Sequence, residues 1–155
     1  MKKLMLFGFA LFVVVLAVNT ESIDDKLLLG KKSKEHYDAC SNEFGKPPYY
    51  ITEGYENLKK EDEANIAAFL LCYFRKLGLM SENGNIIDDG VRSLYIQIYG
   101  DNARQKEIIN NLLKKCKQIN DKIGSQLAPK YKALVFERCT QMDSIKPDQI
   151  KYNLN

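Results

Sequence analysis

The residues with the most reactive side chains in this 155-residue sequence are its four cysteines. They are Cys40, Cys72, Cys116 and Cys139, and none forms the C-x-x-C spacing of zinc or redox sites. In an exported chain, an even number of cysteines favours structural disulfides over metal ligation or catalysis. We therefore predict two disulfide bonds and no metal site. Four cysteines allow three pairings, which stay open at this point.

The single histidine, His36, gives no support to a catalytic function. No serine or cysteine nucleophile motif surrounds it, and Cys40, one helical turn further on, is expected to be oxidised. A phospholipase-like His-Asp pair is absent, because Tyr37 follows His36. We interpret His36 as a solvated residue at a helix edge, with a part in a pH-dependent change as the alternative. The sequence predicts neither an enzyme nor a cofactor.

Two further polar features give no binding site. The oxygen-rich loop 81–90 suggests calcium, but an EF-hand loop needs glycine where Ile86 stands and glutamate where Arg92 stands. The lysine clusters at 31–34 and 114–117 lack interleaved aromatic residues and lie beside helical apolar stripes. We interpret both clusters as solvated helix faces.

The N-terminus has the layout of a secretory signal peptide. Two lysines precede about a dozen apolar residues, and Val15 and Ala17 have the spacing of a cleavage site. We predict a signal peptide at 1–17 and one secreted, extracellular domain at 18–155, with a C-terminal tail at 143–155. Without the two N-terminal lysines the chain has 21 basic and 20 acidic groups, or +1 instead of +3. Neither nucleic acid nor membrane insertion is expected.

The spacing of apolar residues predicts six helices and no strand. The expected helices cover about 23–44, 52–58, 62–76, 88–99, 101–123 and 129–142. Asp62 and Asp101 are the expected N-caps of the third and fifth helices, and the fifth is expected to be the longest. Glycines 45, 78, 100 and 124 are the expected stops, and Pro129 is expected in the first turn of the last helix. Every cysteine falls inside a helix on its apolar side, so the disulfides must connect helices.

The uncharged segment AAFLLCYF, residues 67–74, lies in the third expected helix. A helix of this length with one face in water would carry polar residues on that face. More than one side of this segment must therefore be shielded from water. Other helices, a membrane or a small apolar ligand are the three possible covers.

The cysteine spacing resembles that of the insect odorant-binding proteins. The cysteines are separated by 31, 43 and 22 residues, as in the four-cysteine form called minus-C. Six-cysteine members have two more, at the positions of Ala68 and Lys130, and these two pair with each other. The segments CYFRKLGLMSENGNIIDDG and KYKALVFERC also resemble family segments. The resemblance covers about residues 21–142 and implies bridges Cys40–Cys72 and Cys116–Cys139.

What the resemblance implies is an all-α, six-helix, disulfide-tied domain that encloses an apolar cavity. Because the middle bridge is missing, the pocket is expected to be looser. Family analogy and helical periodicity together suggest a cavity wall of Leu70, Phe74, Met80, Ile86, Leu94, Ile98, Ile109, Leu113 and Phe136. Tyr95 or Tyr152 is the expected polar anchor, and Tyr152 and Leu154 are expected to form at most a lid. The alternative is that these residues are plain core.

The function that the resemblance implies is a secreted carrier that solubilises small hydrophobic ligands such as odorants, pheromones or other semiochemicals. The first alternative is a secreted helical signalling protein that acts on a receptor through its outer surface and has a solid core. The second is a carrier or scavenger of the same fold in saliva, venom, reproductive fluid or haemolymph. A small apolar ligand is the expected partner. An odorant receptor and a second copy of the chain, in a homodimer, are partners that stay open.

Overall fold

A computed structural model describes residues 23–45, 60–123 and 126–141 of the chain. Its five α-helices, in chain order, are α1 Ile23–Phe44, α2 Lys60–Lys76, α3 Asp88–Tyr99, α4 Ala103–Cys116 and α5 Pro129–Gln141, and a π-helical turn at Ile119–Ile123 follows α4. In these ranges extended pairing is limited to an isolated antiparallel bridge between Met80 and Ile86. The predicted all-α class is confirmed.

Several predicted features lie outside the described residues. They are the signal peptide at 1–17, the short helix at 52–58, the stop at Gly124 and the tail at 143–155 with Tyr152 and Leu154. The remaining five predicted helices all have a counterpart, and the predicted first-turn position of Pro129 is confirmed. Gly45, Gly78 and Gly100 follow α1, α2 and α3 with φ between 74° and 92°, which a glycine adopts without strain.

Two predicted N-caps are wrong. Asn102, not Asp101, caps α4: its side-chain oxygen accepts a hydrogen bond from the backbone N–H of Gln105 at 3.0 Å. Asp101 forms an ion pair with Lys106 at 2.8 Å instead. Helix α2 begins at Lys60, so Asp62 lies in its first turn rather than before it. An acidic side chain there still favours the helix, because the N-terminal end of the helix dipole is positive.

The fifth predicted helix is not continuous, and it is not the longest. Helix α4 has 14 residues and ends at Cys116, whereas α1 has 22. After a turn at Lys117 the chain enters the π-helical turn. There Asn120 accepts a hydrogen bond from the backbone N–H of Ile86 at 3.0 Å and donates one to its carbonyl at 3.3 Å. The change of helical pitch thus occurs where the chain contacts a loop that is distant in sequence. The local spacing of apolar residues does not predict such a contact.

Helices α2 and α5 form the centre of the described part of the molecule. They pack against each other more extensively than any other pair of elements, and α1 packs on the other side of α2. Four consecutive residues of α5, 133–136, are buried, as are most residues of α2 from 66 to 74. The uncharged segment 67–74 is therefore covered on two sides by helices. In the described ranges no helix is long and apolar enough to cross a bilayer.

Two disulfides connect neighbouring helices. Cys40–Cys72 joins α1 to α2, and Cys116–Cys139 joins α4 to α5, with Cα atoms 5.9 Å apart in each pair. These are the two pairings that the resemblance implies. No cysteine remains for metal ligation. The described residues also contain no group of three or more His, Cys, Asp or Glu side chains that could hold a metal ion.

Candidate ligand-binding site

Nine of the ten residues expected at the ligand belong to one buried apolar cluster, which we call the core cluster. Their side chains are between 1% and 7% exposed. They are Leu70, Phe74, Met80, Ile86, Leu94, Ile98, Ile109, Leu113 and Phe136. The tenth, Tyr152, lies outside the described residues. The fold thus brings the nine together, and their role as a cavity wall stays a prediction.

Each helix after α1, and the loop between α2 and α3, contributes to the core cluster through local periodicity. Helices α2, α3 and α4 each supply a pair four residues apart, the spacing that places two side chains on one helix face. The α2–α3 loop supplies Met80 and Ile86, which its isolated bridge holds together. The apolar spacing that predicted the fifth helix includes Ile108, but this residue does not lie on the buried face. It is 45% exposed, because the buried face of α4 is centred on Ile109 and Leu113.

A chain of aromatic contacts crosses the core cluster from α1 to α5. The ring of Tyr37 lies 5.1 Å from that of Phe69 in an edge-to-face arrangement, and Phe69 lies 5.9 Å from Tyr73. At the other end Phe74 meets Phe136 edge-to-face at 5.4 Å. Such pairs each stabilise packing by about 0.5–1.5 kcal/mol beyond the area they bury. Phe69 therefore faces α1 and Phe74 faces α5, as the two-sided helix requires.

Two tyrosines bring hydroxyl groups to this apolar region. The hydroxyl of Tyr73 lies 2.6 Å from that of Ser33, a buried residue that sequence reasoning missed because it stands in a run of charged residues. Burial raises the pKa of the Tyr73 phenol, against a smaller lowering by Ser33. Burial also raises the pKa of Tyr95, and the neighbouring Tyr99 and Glu137 add to the rise. Within the described part of the chain, the Tyr95 hydroxyl has no hydrogen-bond partner.

The loop that carries Met80 and Ile86 is fixed from two sides. Besides the two hydrogen bonds from Asn120, the Lys132 ammonium on α5 donates a hydrogen bond to the Asn85 side-chain oxygen at 3.0 Å. A Cβ atom at Gly84 would lie 2.6 Å from the carbonyl oxygen of Pro129, so only glycine allows this close approach. Contacts with α5 and with the π-helical turn therefore hold the loop in place beside the core cluster.

The comparison with protein families decides what this arrangement belongs to. The model of the PBP/GOBP family matches residues 27–146, which include all five described helices and both disulfides. The chain belongs to the PBP/GOBP family. The predicted resemblance to the odorant-binding proteins is therefore confirmed, with two disulfides as in a minus-C form. No curated protein and no solved structure matches the chain.

The PBP/GOBP family, to which the chain belongs, consists of small-ligand binding proteins and not of enzymes. The positions of the two missing family cysteines, Ala68 and Lys130, fall on α2 and α5. These are the two helices that pack most extensively. In this PBP/GOBP protein, neither disulfide joins these two helices, and they meet through packing contacts such as Phe74 with Phe136.

A cleft with a volume of about 240 Å³ lies beside the core cluster, between α1, the end of α2 and α3, and we call it the α1–α3 cleft. Of the nine expected wall residues it includes only Leu94. Its lining comprises Leu29, Lys32, Ser33, His36, Lys76, Leu77, Gly78, Gly90, Ser93, Leu94 and Gln97. Sequence reasoning placed Lys32 on a solvated face and His36 at a helix edge, and it did not foresee that the fold brings them together with Lys76.

Proposed function

We propose that this PBP/GOBP protein is a secreted, non-enzymatic carrier that binds and solubilises small hydrophobic ligands, such as odorants, pheromones or other semiochemicals, within the core cluster. The observation that carries the proposal is the family match over residues 27–146. The burial of the nine expected wall residues in one apolar cluster supports it. The signal-like N-terminus at 1–17 and the two disulfides support secretion of a single domain.

The driving force for uptake is the transfer of apolar ligand surface from water to an apolar site. It is worth about 25 cal/mol per Å² before the costs of ordering ligand and protein. A wall of aliphatic and aromatic side chains distinguishes poorly between ligands that differ by a methylene group. Broad specificity and modest affinity therefore follow from the composition of the site.

Tyr95 is the polar group that we propose as the anchor for the ligand. Its ring packs against the core cluster, and its hydroxyl has no hydrogen-bond partner among the described residues. A phenol can donate a hydrogen bond to the oxygen of an alcohol, aldehyde, ketone or ester. We therefore expect Tyr95 to favour the binding of ligands that contain oxygen over hydrocarbons of equal size.

Titration of the refolded, disulfide-bonded protein with a fluorescent naphthylamine probe tests the proposed function. The chain has no tryptophan, so the probe provides the signal. Saturable one-to-one binding that small alcohols, esters or aldehydes reverse is the expected result. No binding by a folded sample would indicate a solid core and favour the alternative, a helical signalling protein that acts on a receptor through its surface.

The substitution Leu113→Glu is expected to abolish probe binding while the helical circular dichroism signal is retained. Leu113 is 3% exposed in the core cluster, so a carboxylate at this position lowers the affinity of the site for apolar ligands. The variant Ile108→Glu is the matched control, since it adds the same charge to the same helix at a residue that is 45% exposed. Probe titration compares the two.

A second substitution at Leu113 separates lost binding from lost folding. Leu113→Phe adds volume without charge, so it is expected to weaken the binding of large probes more than that of small ones. If both Leu113 variants bind the probe as the original chain does, the ligand lies elsewhere and the proposed wall is wrong.

A further inference from the structure

The α1–α3 cleft combines an apolar floor with a polar rim. At the floor Leu94 and Ser33 are 7% and 2% exposed, and Leu29 and Leu77 are partly buried. At the rim the side chains of Lys32 and Lys76 are exposed. The remaining polar side chains of the lining are the half-buried His36 of α1 and the exposed Ser93 and Gln97 of α3. An occupant would thus meet apolar side chains below and hydrogen-bond donors above.

The titratable side chains that line the cleft are all of basic residue types. They are Lys32 and His36 from α1 and Lys76 from the last turn of α2, and the lining contains no Asp or Glu. Two acidic residues adjoin the lining in sequence, Glu35 before His36 and Asp89 before Gly90, and both are exposed to solvent outside the lining. Such a lining attracts an anion and disfavours a cation.

The basic side chains of the cleft are also not neutralised by the protein itself. Among the described residues the cations at 34, 75, 106 and 117 each pair with a carboxylate. In the same ranges Lys32, His36 and Lys76 have no such partner. Lys76 also complements the negative end of the α2 dipole. The helix dipole does not account for the position of Lys32, which lies in the middle of α1.

A buried hydroxyl adds a third polar group at the floor. The Ser33 and Tyr73 hydroxyl oxygens are 2.6 Å apart, and either can be the donor. When Tyr73 donates, the Ser33 proton is available to an acceptor in the cleft. Because Ser33 is buried among apolar side chains, a hydrogen bond from its hydroxyl to an anionic oxygen is stronger than the same bond at the surface.

From these observations we infer that the α1–α3 cleft is a second ligand site, which binds a small carboxylate with an apolar tail, such as a medium-chain fatty acid. The tail lies on Leu29, Leu77 and Leu94, and the carboxylate lies between Lys32 and Lys76. A volume of about 240 Å³ is below the roughly 300–1,000 Å³ of sites for drug-sized ligands, so the tail must be short. The site shares Leu94 with the core cluster and otherwise lies outside it, and it goes beyond the proposed carrier function.

Nuclear magnetic resonance titration of the whole mature protein with sodium octanoate tests this inference. Saturable shifts are expected in the backbone amide signals of the cleft, at residues 78, 90, 93 and 97. Octanol and octylammonium have the same tail but are neutral and cationic, so they are expected to shift these signals far less. Equal shifts with octanol, or no saturable shift with octanoate, would overturn the inference.

Charge-removing variants supply the second part of the test. The double variant Lys32→Gln/Lys76→Gln is expected to weaken octanoate binding about three- to tenfold, as two partly solvated ion pairs allow. The control is Lys31→Gln/Lys114→Gln, which removes the same charge from exposed residues outside the cleft. Equal weakening in both double variants would mean a general effect of net charge and would overturn the assignment.

The naphthylamine probe separates the cleft from the core cluster. With the core cluster occupied by the probe, octanoate is still expected to shift the cleft signals. If octanoate only displaces the probe and moves signals of core residues such as Ile109 and Leu134, the second site does not exist. That result would leave the proposed carrier function intact, so the two proposals fail independently.

Discussion

Tyr73 and Tyr95 differ in what their hydroxyl groups contact, although burial raises the pKa of both phenols. Tyr73 is 5% exposed and bonds to the Ser33 hydroxyl, so its polar group already has a structural partner. The Tyr95 hydroxyl has no such partner among the described residues. A phenol that lies beside the apolar cluster without a protein partner can donate a hydrogen bond to a ligand oxygen. At the residue scale, Tyr73 therefore serves the fold and Tyr95 is the candidate for recognition.

The substitution Tyr95→Phe is expected to weaken the binding of an alcohol about two- to tenfold and to leave an alkane of equal length unaffected. The expected loss is that of one net hydrogen bond, because the aromatic ring and its packing are retained. Displacement of the naphthylamine probe measures both affinities. Tyr99→Phe is the control, since Tyr99 neighbours Tyr95 at 5.7 Å but is 37% exposed. Equal losses for alcohol and alkane would indicate a packing defect rather than a lost anchor.

Tyr73 is expected to make the protein less stable as the pH rises above about 10. Its folded-state pKa is raised, so the folded state keeps a proton that the unfolded state releases. The unfolded state then binds fewer protons, and the free energy of unfolding falls with pH by about 1.4 kcal/mol per unit for this group. Below the unfolded-state pKa the contribution is fully present. Urea unfolding at a series of alkaline pH values measures this slope.

The double variant Tyr73→Phe/Ser33→Ala is the comparison for that slope. Removing both hydroxyl groups avoids leaving Ser33 buried without a partner, which would itself cost about 1–3 kcal/mol. The other titratable groups are the same in both proteins, so the difference between the two slopes isolates Tyr73. Parallel slopes would mean that the Tyr73 phenol ionises in the folded protein as readily as in the unfolded chain.

At the scale of elements, the crossing of α3 and the end of α2 depends on two glycines. A Cβ atom at Gly90 would lie 1.8 Å from the carbonyl oxygen of Gly78, a contact with backbone that no rotamer change can relieve. Gly78 itself has φ +74° and turns the chain out of α2. Both glycines line the α1–α3 cleft, so the close crossing that they permit also shapes that cleft.

The substitution Gly90→Ala is expected to lower the free energy of unfolding by about 1–3 kcal/mol, because α3 must move away from Gly78. Gly30→Ala is the matched control. A Cβ atom at Gly30 meets nothing within 4 Å, and the residue lies inside α1, so the substitution is expected to stabilise the helix by about 0.5–1 kcal/mol. Urea unfolding measures both changes. If Gly90→Ala stabilises the protein as Gly30→Ala does, the close crossing is wrong.

The elements also show which parts of the fold the sequence could predict. Apolar periodicity and terminating glycines located five helices, since both signals are local. The break after Cys116 was not predictable, because the apolar spacing continues through Ile119 while the π-helical turn is tied to Ile86 by Asn120. The nine expected wall residues, chosen by family analogy and helical periodicity together, are all buried. The α1–α3 cleft could not be predicted, because its lining comes from three elements that only the tertiary fold brings together.

At the scale of the whole molecule, covalent links join α1 to α2 and α4 to α5, and the two linked pairs meet through packing. The contact between α2 and α5 is the most extensive of the described elements. It consists of buried apolar side chains, such as Phe74 against Phe136, without a covalent bond. A packed interface can shift slightly when a ligand of different shape enters, whereas a disulfide fixes the distance. The minus-C pattern should therefore favour a pocket that adapts to its ligand.

Restoring the missing bridge with Ala68→Cys/Lys130→Cys tests that idea. The two positions are 62 residues apart in sequence, so the bond is expected to raise the free energy of unfolding by about 4 kcal/mol in the chain-entropy model. Probe displacement is expected to show a narrower range of accepted ligand sizes, because α2 and α5 can no longer separate. The single variant Ala68→Cys is the control, and mass spectrometry without reduction verifies the bond. An unchanged ligand range in the bridged protein would mean that the adaptable part of the pocket is not the α2–α5 interface.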